Sequence, residues 1–195
     1  MFENGTPGTW PCDAVITVQV NLDQVQPPLR SSLLHDLQGA ASAINKHARV
    51  KFVVNGSTSM IPNSSLGDIA KTYPNTVLFA FVSQGQSDLL SSTAAAAGGG
   101  YWIHDSQLGR PVVRLGYVLV DINRLEDYRS DSGYLSRQAL FTHELLHVLG
   151  LDHVKDRRSI LNERMSTSSG SIGPGDINGI KALGASACGS EGGRS

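Results

Sequence analysis

The chain has little charge bias, few cysteines and no long apolar run. Lys and Arg number 16 against 17 Asp and Glu, a net charge of −1, which leaves no electrostatic footprint for nucleic acid or an anionic membrane. No apolar stretch approaches the roughly 20 residues that a membrane span requires. Residues 1–9 hold no basic region followed by an apolar stretch, so no signal peptide is visible, and the expectation is a chain that is not exported or a mature, trimmed form. Cysteine is limited to Cys12 and Cys188, near opposite ends. By themselves they are either free thiols or one long-range pair, and both readings stay open. No repeat period appears, and no linker is long enough to divide the 195 residues. A hydrophobic content of 40% is ordinary for one globular domain with a sizeable core.

What is present is concentrated in His143-Glu144-Leu145-Leu146-His147-Val148-Leu149-Gly150-Leu151-Asp152-His153. Histidines four apart on a helix share a face, one turn from each other. Zinc accepts imidazole nitrogen, and a catalytic zinc keeps three protein ligands plus one water. His143 and His147 therefore leave one ligand to find, which a straight helix cannot supply in the same geometry. Gly150 stands where the chain must turn, because glycine adopts the left-handed conformation that ends helices. His153 can then swing back towards the metal. Glu144 lies about 100° round the helix from His143, in reach of a metal-bound water without being a ligand itself. Asp152 is one position short of the third ligand slot and reads as a supporting residue.

The pattern His143-Glu144-x-x-His147-x-x-Gly150-x-x-His153 resembles the signature of the metzincin zinc endopeptidases, and its Gly-Leu-Asp-His ending is most similar to the matrixin branch. A second, weaker likeness lies in Gly175-Asp176-Ile177-Asn178-Gly179-Ile180-Lys181-Ala182-Leu183, which resembles the closing helix of matrixin catalytic domains. The resemblance implies an α/β (α+β) zincin fold. That fold has a twisted, mostly parallel five-stranded sheet, two long helices, a zinc cleft and a small C-terminal lobe ending in a helix. It implies a single catalytic domain over 1–195, with an upper lobe at about 10–150 and a lower lobe at about 151–188. The function implied is a zinc-dependent endopeptidase acting on proteins or peptides. His143, His147 and His153 would hold one Zn2+, and Glu144 would be general base to a zinc-activated water. The alternatives are a non-proteolytic zinc-binding module of the same fold, against which Glu144 argues because coordination does not require it, or a metzincin of another branch. Ca2+ in acidic loops, a secreted or extracytoplasmic location and a monomeric state follow from the same resemblance. In a secreted protease Cys12 and Cys188 would favour a disulfide. The Trp10-Pro11-Cys12-Asp13 sequence does not match the family's cysteine latency switch.

The rest of the chain supplies the context. Residues 14–20 alternate as a strand. Pro27-Pro28 opens a helix whose stripe is Leu29, Leu33, Leu37, Ala40, Ala41 and Ile44. A second strand around Val50, Phe52 and Val54 is expected to end at Asn55-Gly56. The loop that follows carries a short helical turn near residues 66–71. Residues 76–82 form an apolar run suited to a central strand buried on both faces. The tract 84–100 ends in Ala residues and three glycines, which oppose a helix. Residues 99–103 are the candidate for an antiparallel edge strand, with Gly99, Gly100 and Tyr101 as substrate-binding candidates. His104 to Arg110 read as a loop, with His104-Asp105 a remote candidate for a second ion. Residues 112–122 form another strand. The zinc helix is expected from about Tyr134 to Leu149, capped by Asp131 or Ser132. Metzincins place a methionine beneath the metal. Leu161 has the usual spacing, but Met165 is taken as the candidate for that turn. Ser166 to Pro174 would line the pocket for the side chain after the cut, and Gly189 to Ser195 read as a frayed tail.

Overall fold

The computed structural model describes residues 2–3, 6–128, 136–165 and 170–189. A two-residue antiparallel pair, β1 (Phe2–Glu3) and β2 (Thr6–Pro7), precedes the main sheet. The main sheet contains β3 (Val15–Asn21), β4 (Lys51–Ser57), β5 (Thr76–Val82), β6 (Ala96–Asp105) and β7 (Arg110–Asp121) in the order β4-β3-β5-β7-β6. Four strands run parallel and β6 runs antiparallel at the edge, the arrangement that the resemblance implies. All seven residues of β5 are buried, as its unbroken apolar run requires of a strand covered on both faces.

Two boundaries differ from the sequence reading. Strand β4 does not stop at Asn55-Gly56: the register against β3 slips between Val18 and Val20, and Gly56 takes φ +112°. The Asn-Gly pair makes a bulge and lets the strand continue. At the edge, β6 is longer than 99–103, because the alanine and glycine tract also pairs, Gly98 to Val118, Gly99 to Tyr117 and Gly100 to Gly116. These residues offer no bulk of their own, and neighbouring side chains take the space. The Tyr117 hydroxyl lies 2.8 Å from where a Cβ on Gly99 would stand.

Helix α1 (Pro27–Asn45) has proline in its first turn and buries Leu33, Leu37, Ala40, Ala41 and Ile44. Leu29, the first residue of the expected stripe, is 39% exposed; it stands in the opening turn, ahead of the stretch that reaches the core. A short helix α2 (Leu66–Thr72) packs on the opposite face of the sheet, beneath Tyr101, Leu78 and Leu115. After β7 comes a 3-10 helix (Ile122–Asp127), then α3 (Arg137–Leu149) and α4 (Pro174–Gly189). The expected start of α3 at Tyr134 and its cap at Asp131 or Ser132 lie outside the described residues. The helix is capped by Ser136, whose Oγ accepts from Ala139 N at 3.1 Å. Phe141 of α3 meets Phe79 and Phe81 of β5 edge-on, with centroids 5.2 and 5.9 Å apart. Arg137 Nε donates to Asp36 at 2.7 Å and ties α3 to α1 with both side chains largely shielded. Cys12 and Cys188 form a disulfide (S–S 2.03 Å) that joins the end of α4 to the segment before β3.

Candidate active site

Ten of the thirteen residues of α3 are buried, among them His143 and Glu144. A helix enclosed on nearly every side is a rigid mount, and rigidity is what a site needs to hold its groups in place. The helix ends at Gly150 in a left-handed conformation (φ +116°). Gly150 N donates to His147 O at 3.1 Å and Leu151 N to Leu146 O at 3.0 Å, the paired bonds of a Schellman ending. That reversal brings His153 back to the helix. The three Nε2 atoms lie 3.0 Å (His143–His147), 3.1 Å (His147–His153) and 3.2 Å (His143–His153) apart.

The outer nitrogens are occupied by the backbone. His143 Nδ1 lies 2.6 Å from Ile160 O, and His147 Nδ1 lies 2.8 Å from Leu151 O. A carbonyl can only accept, so each Nδ1 carries the proton and each Nε2 presents a lone pair to the common centre. Burial, and then the neighbouring His147, hold His143 down at about 4, and burial also lowers His147. Both rings are therefore neutral at pH 7, the state that ligates metal. A tetrahedral zinc with Zn–N of 2.0–2.1 Å sets its nitrogens about 3.3–3.4 Å apart. The observed triangle is within a few tenths of an ångström of that, so the donor set fits zinc. Asp152 accepts from His153 N at 2.7 Å and lines the cleft beside the cluster.

Glu144 is 5% exposed, and burial pushes its carboxyl up to about 8 against the pull of the Gly98 N–H that donates to it. Gly98 was not among the sequence candidates, although the run of three glycines pointed to its neighbourhood. A side chain there would collide with the Glu144 carbonyl oxygen, so only glycine lets β6 pass so close to α3. A cleft of about 660 Å3 opens over His143, Glu144, His147 and His153, and is lined further by residues 93–98, Tyr128, Leu140 and Met165. A second hollow of about 280 Å3 continues it past Gly98, Gly99, Gly100 and Trp102. Gly99 and Gly100 thus line the open edge. The Tyr101 side chain packs away from it, its hydroxyl 3.1 Å from where a Gly67 Cβ would stand on α2.

Of the two candidates for the turn below the histidines, Leu161 is 2% exposed and follows Ile160, whose carbonyl holds His143. Met165 is half-buried in the cleft wall. Asp176 of α4 secures the same turn from behind, accepting from Ser159 Oγ and from Gly173 N. Residues 166–169 of the expected side-chain pocket, and 190–195 of the tail, lie outside the described residues. Asp105 is engaged by Arg114 (3.0 Å) and by its own turn. Among the described residues the one other group of ligand-type side chains in mutual reach is Cys12, Asp13 and Cys188, whose sulfurs are bonded to each other.

Comparison with known proteins places the chain. No curated protein matches its sequence. Among solved structures it is similar to high choriolytic enzyme 1, a hatching-enzyme zinc protease of Oryzias latipes (medaka fish), with 13% identity, a TM-score of 0.46, and 90% of this chain and 93% of that one covered. A family model described as matrixin (Peptidase_M10) matches residues 79–184, more than half of the chain and all of the histidine cluster. The protein belongs to the matrixin family of metzincin zinc metalloendopeptidases.

Proposed function

We propose that this chain is one catalytic domain that cleaves extended protein or peptide segments across the cleft between residues 10–150 and 151–188, with His143, His147 and His153 as the zinc ligands and Glu144 as general base. The observation that carries the reading is the triangle of Nε2 atoms 3.0–3.2 Å apart, with two of the rings fixed from behind by backbone carbonyls. Zinc held there would acidify a water and polarise the scissile carbonyl. Glu144 takes the proton from the attacking water and returns it to the departing amine. The Gly98 N–H fixes the carboxyl in the cleft, and burial raises its proton affinity above that of an ordinary carboxylate, which suits a group that must take a proton. Strand β6 has an unpaired edge among the described residues, so a peptide can add to it as a further strand. Gly99 and Gly100 allow the close approach, and Tyr101 contributes only its backbone. Leu161 forms the floor beside His143, and Met165 lines the wall. The Cys12–Cys188 disulfide supports an oxidising, extracytoplasmic location, and we take the domain to act as a monomer.

Metal analysis with a peptide-library cleavage assay tests this. One zinc per chain, cleavage abolished by chelator and restored by zinc are the expected results. Cleavage that persists in metal-free protein would refute the reading.

A further inference from the structure

The segment just before β3 takes no part in the chemistry, yet it is built into the end of the zinc helix. Trp10 is 1% exposed, and its indole N–H donates to Val148 O at 2.9 Å. Val148 is in the last turn of α3. There the carbonyls of Leu146 and His147 are taken by the Schellman bonds, and those nearer the end lack helical partners. The indole therefore caps a carbonyl one residue from His147. Room for it comes from Gly116 of β7. A Cβ there would stand 3.3 Å from Trp10 Cζ2 and would overlap the Val148 side chain. One residue before Thr9, the Gly8 carbonyl oxygen lies 3.2 Å from where a Cβ on Gly150 would stand, so the segment also crosses the reversal that delivers His153.

The segment is fastened at both ends. Thr9 bridges to β7, with Val113 N donating to Thr9 O at 2.9 Å. The buried Arg110 guanidinium donates to Thr9 Oγ1 and, at 3.1 Å, to Ala187 O of α4. Two residues after Trp10, Cys12 is bonded to Cys188. The zinc helix, strand β7 and α4 thus meet through five residues of backbone.

We propose that Gly8–Cys12 is a positioning arm for the metal centre, with Trp10 as its positioning residue and the Cys12–Cys188 disulfide as its anchor. The arm fixes the last turn of α3 and the Gly150 reversal, and so the places of His147 and His153 relative to His143. The inference rests on the zinc reading for its catalytic readouts only.

The test compares wild type with Trp10→Phe, which keeps a ring in the cavity and removes the donor, and with the paired change Cys12→Ser and Cys188→Ser, which leaves the indole and releases the anchor. Amide exchange in metal-free protein is read at Gly150 and Leu151 and, as the internal standard, at residues 77–81 of β5. A buried carbonyl left without its donor costs on the order of ten-fold in a local equilibrium. In Trp10→Phe exchange at Gly150 and Leu151 should rise by roughly that factor beyond any change in β5, and in the paired serine variant, which keeps the donor, it should rise by less but still beyond the change in β5. In zinc-loaded protein, zinc should pass to a chromophoric chelator several-fold faster, and kcat should fall with KM little changed. Protection at Gly150 and Leu151 that is unchanged, or that falls only in step with β5, would overturn the proposal. If wild type held no zinc, the metal reading would fail, while the exchange comparison would still decide the arm's role. If Trp10→Phe did not fold, the paired serine variant would decide it.

Discussion

Replacing Glu144 by glutamine separates binding from chemistry. Glutamine matches the volume of the buried side chain and keeps an oxygen to accept from Gly98 N–H, so packing and the approach of β6 to α3 stay as they are. His143 and His147 keep their partners at Ile160 O and Leu151 O, and nothing around His153 changes, so zinc should bind with one equivalent as before. What disappears, among the described residues, is the one buried carboxylate that lines the cleft with the histidines. General-base catalysis of this kind is worth about 10^2–10^4 in rate, and kcat should fall by that factor with KM changed much less. The same substitution has a signature in metal-free protein. Glu144 binds its proton up to about pH 8 when folded, against an ordinary value of 4.5. The folded state therefore holds more protons than the unfolded one between those limits, and its stability declines as pH rises through that window. Glutamine cannot ionise, so the variant should gain stability over wild type as pH increases from about 5 to 8, seen as diverging urea midpoints. The assay is hydrolysis of a quenched fluorescent peptide beside zinc stoichiometry. A variant that bound zinc normally and turned over within a few-fold of wild type would sink the assignment of Glu144.

Two further outcomes follow from the same geometry. Gly98→Ala puts a methyl into the Glu144 carbonyl oxygen, so β6 must back away from α3; kcat/KM should drop at least ten-fold, whereas Gly100→Ala, whose nearest neighbours would be Val113 Cγ1 at 3.1 Å and Leu115 O at 3.6 Å, should cost far less. In acid, burial holds His143 neutral in the fold down to about 4 and lowers His147 as well, so protonation favours the unfolded, metal-free chain. Zinc affinity and stability should both weaken as pH falls from about 6.5 towards 4, measured by chelator competition and by thermal unfolding.

The fold was legible where side-chain pattern and burial coincide. The all-apolar run of β5 implied a central strand, and the double proline and leucine stripe implied α1. The glycine tract was harder. Intrinsic preference speaks against both helix and strand there, and the pairing is decided by Tyr117 and Val118 across the ladder, which no local window contains. Asn55-Gly56 failed as a stop for the same kind of reason. The pair that ends a strand in isolation makes a bulge when a parallel neighbour continues past it.

At the site the division is sharper, and it has a chemical cause. Ligand and base require particular side chains, imidazole and carboxylate, so eleven consecutive residues carry them in a readable spacing. The groups that hold those side chains in place are the carbonyls of Leu151 and Ile160 and the N–H of Gly98. Every residue except proline carries both groups, so no side chain advertises that its backbone has been recruited. This explains why spacing alone left the turn below the histidines unresolved between Leu161 and Met165. The orienting contact is the carbonyl of Ile160, and a turn anchored through its backbone places few demands on the hydrophobic side chain that follows. Leu161→Met should accordingly leave zinc affinity within a few-fold of wild type, while displacing the Ile160 carbonyl should not.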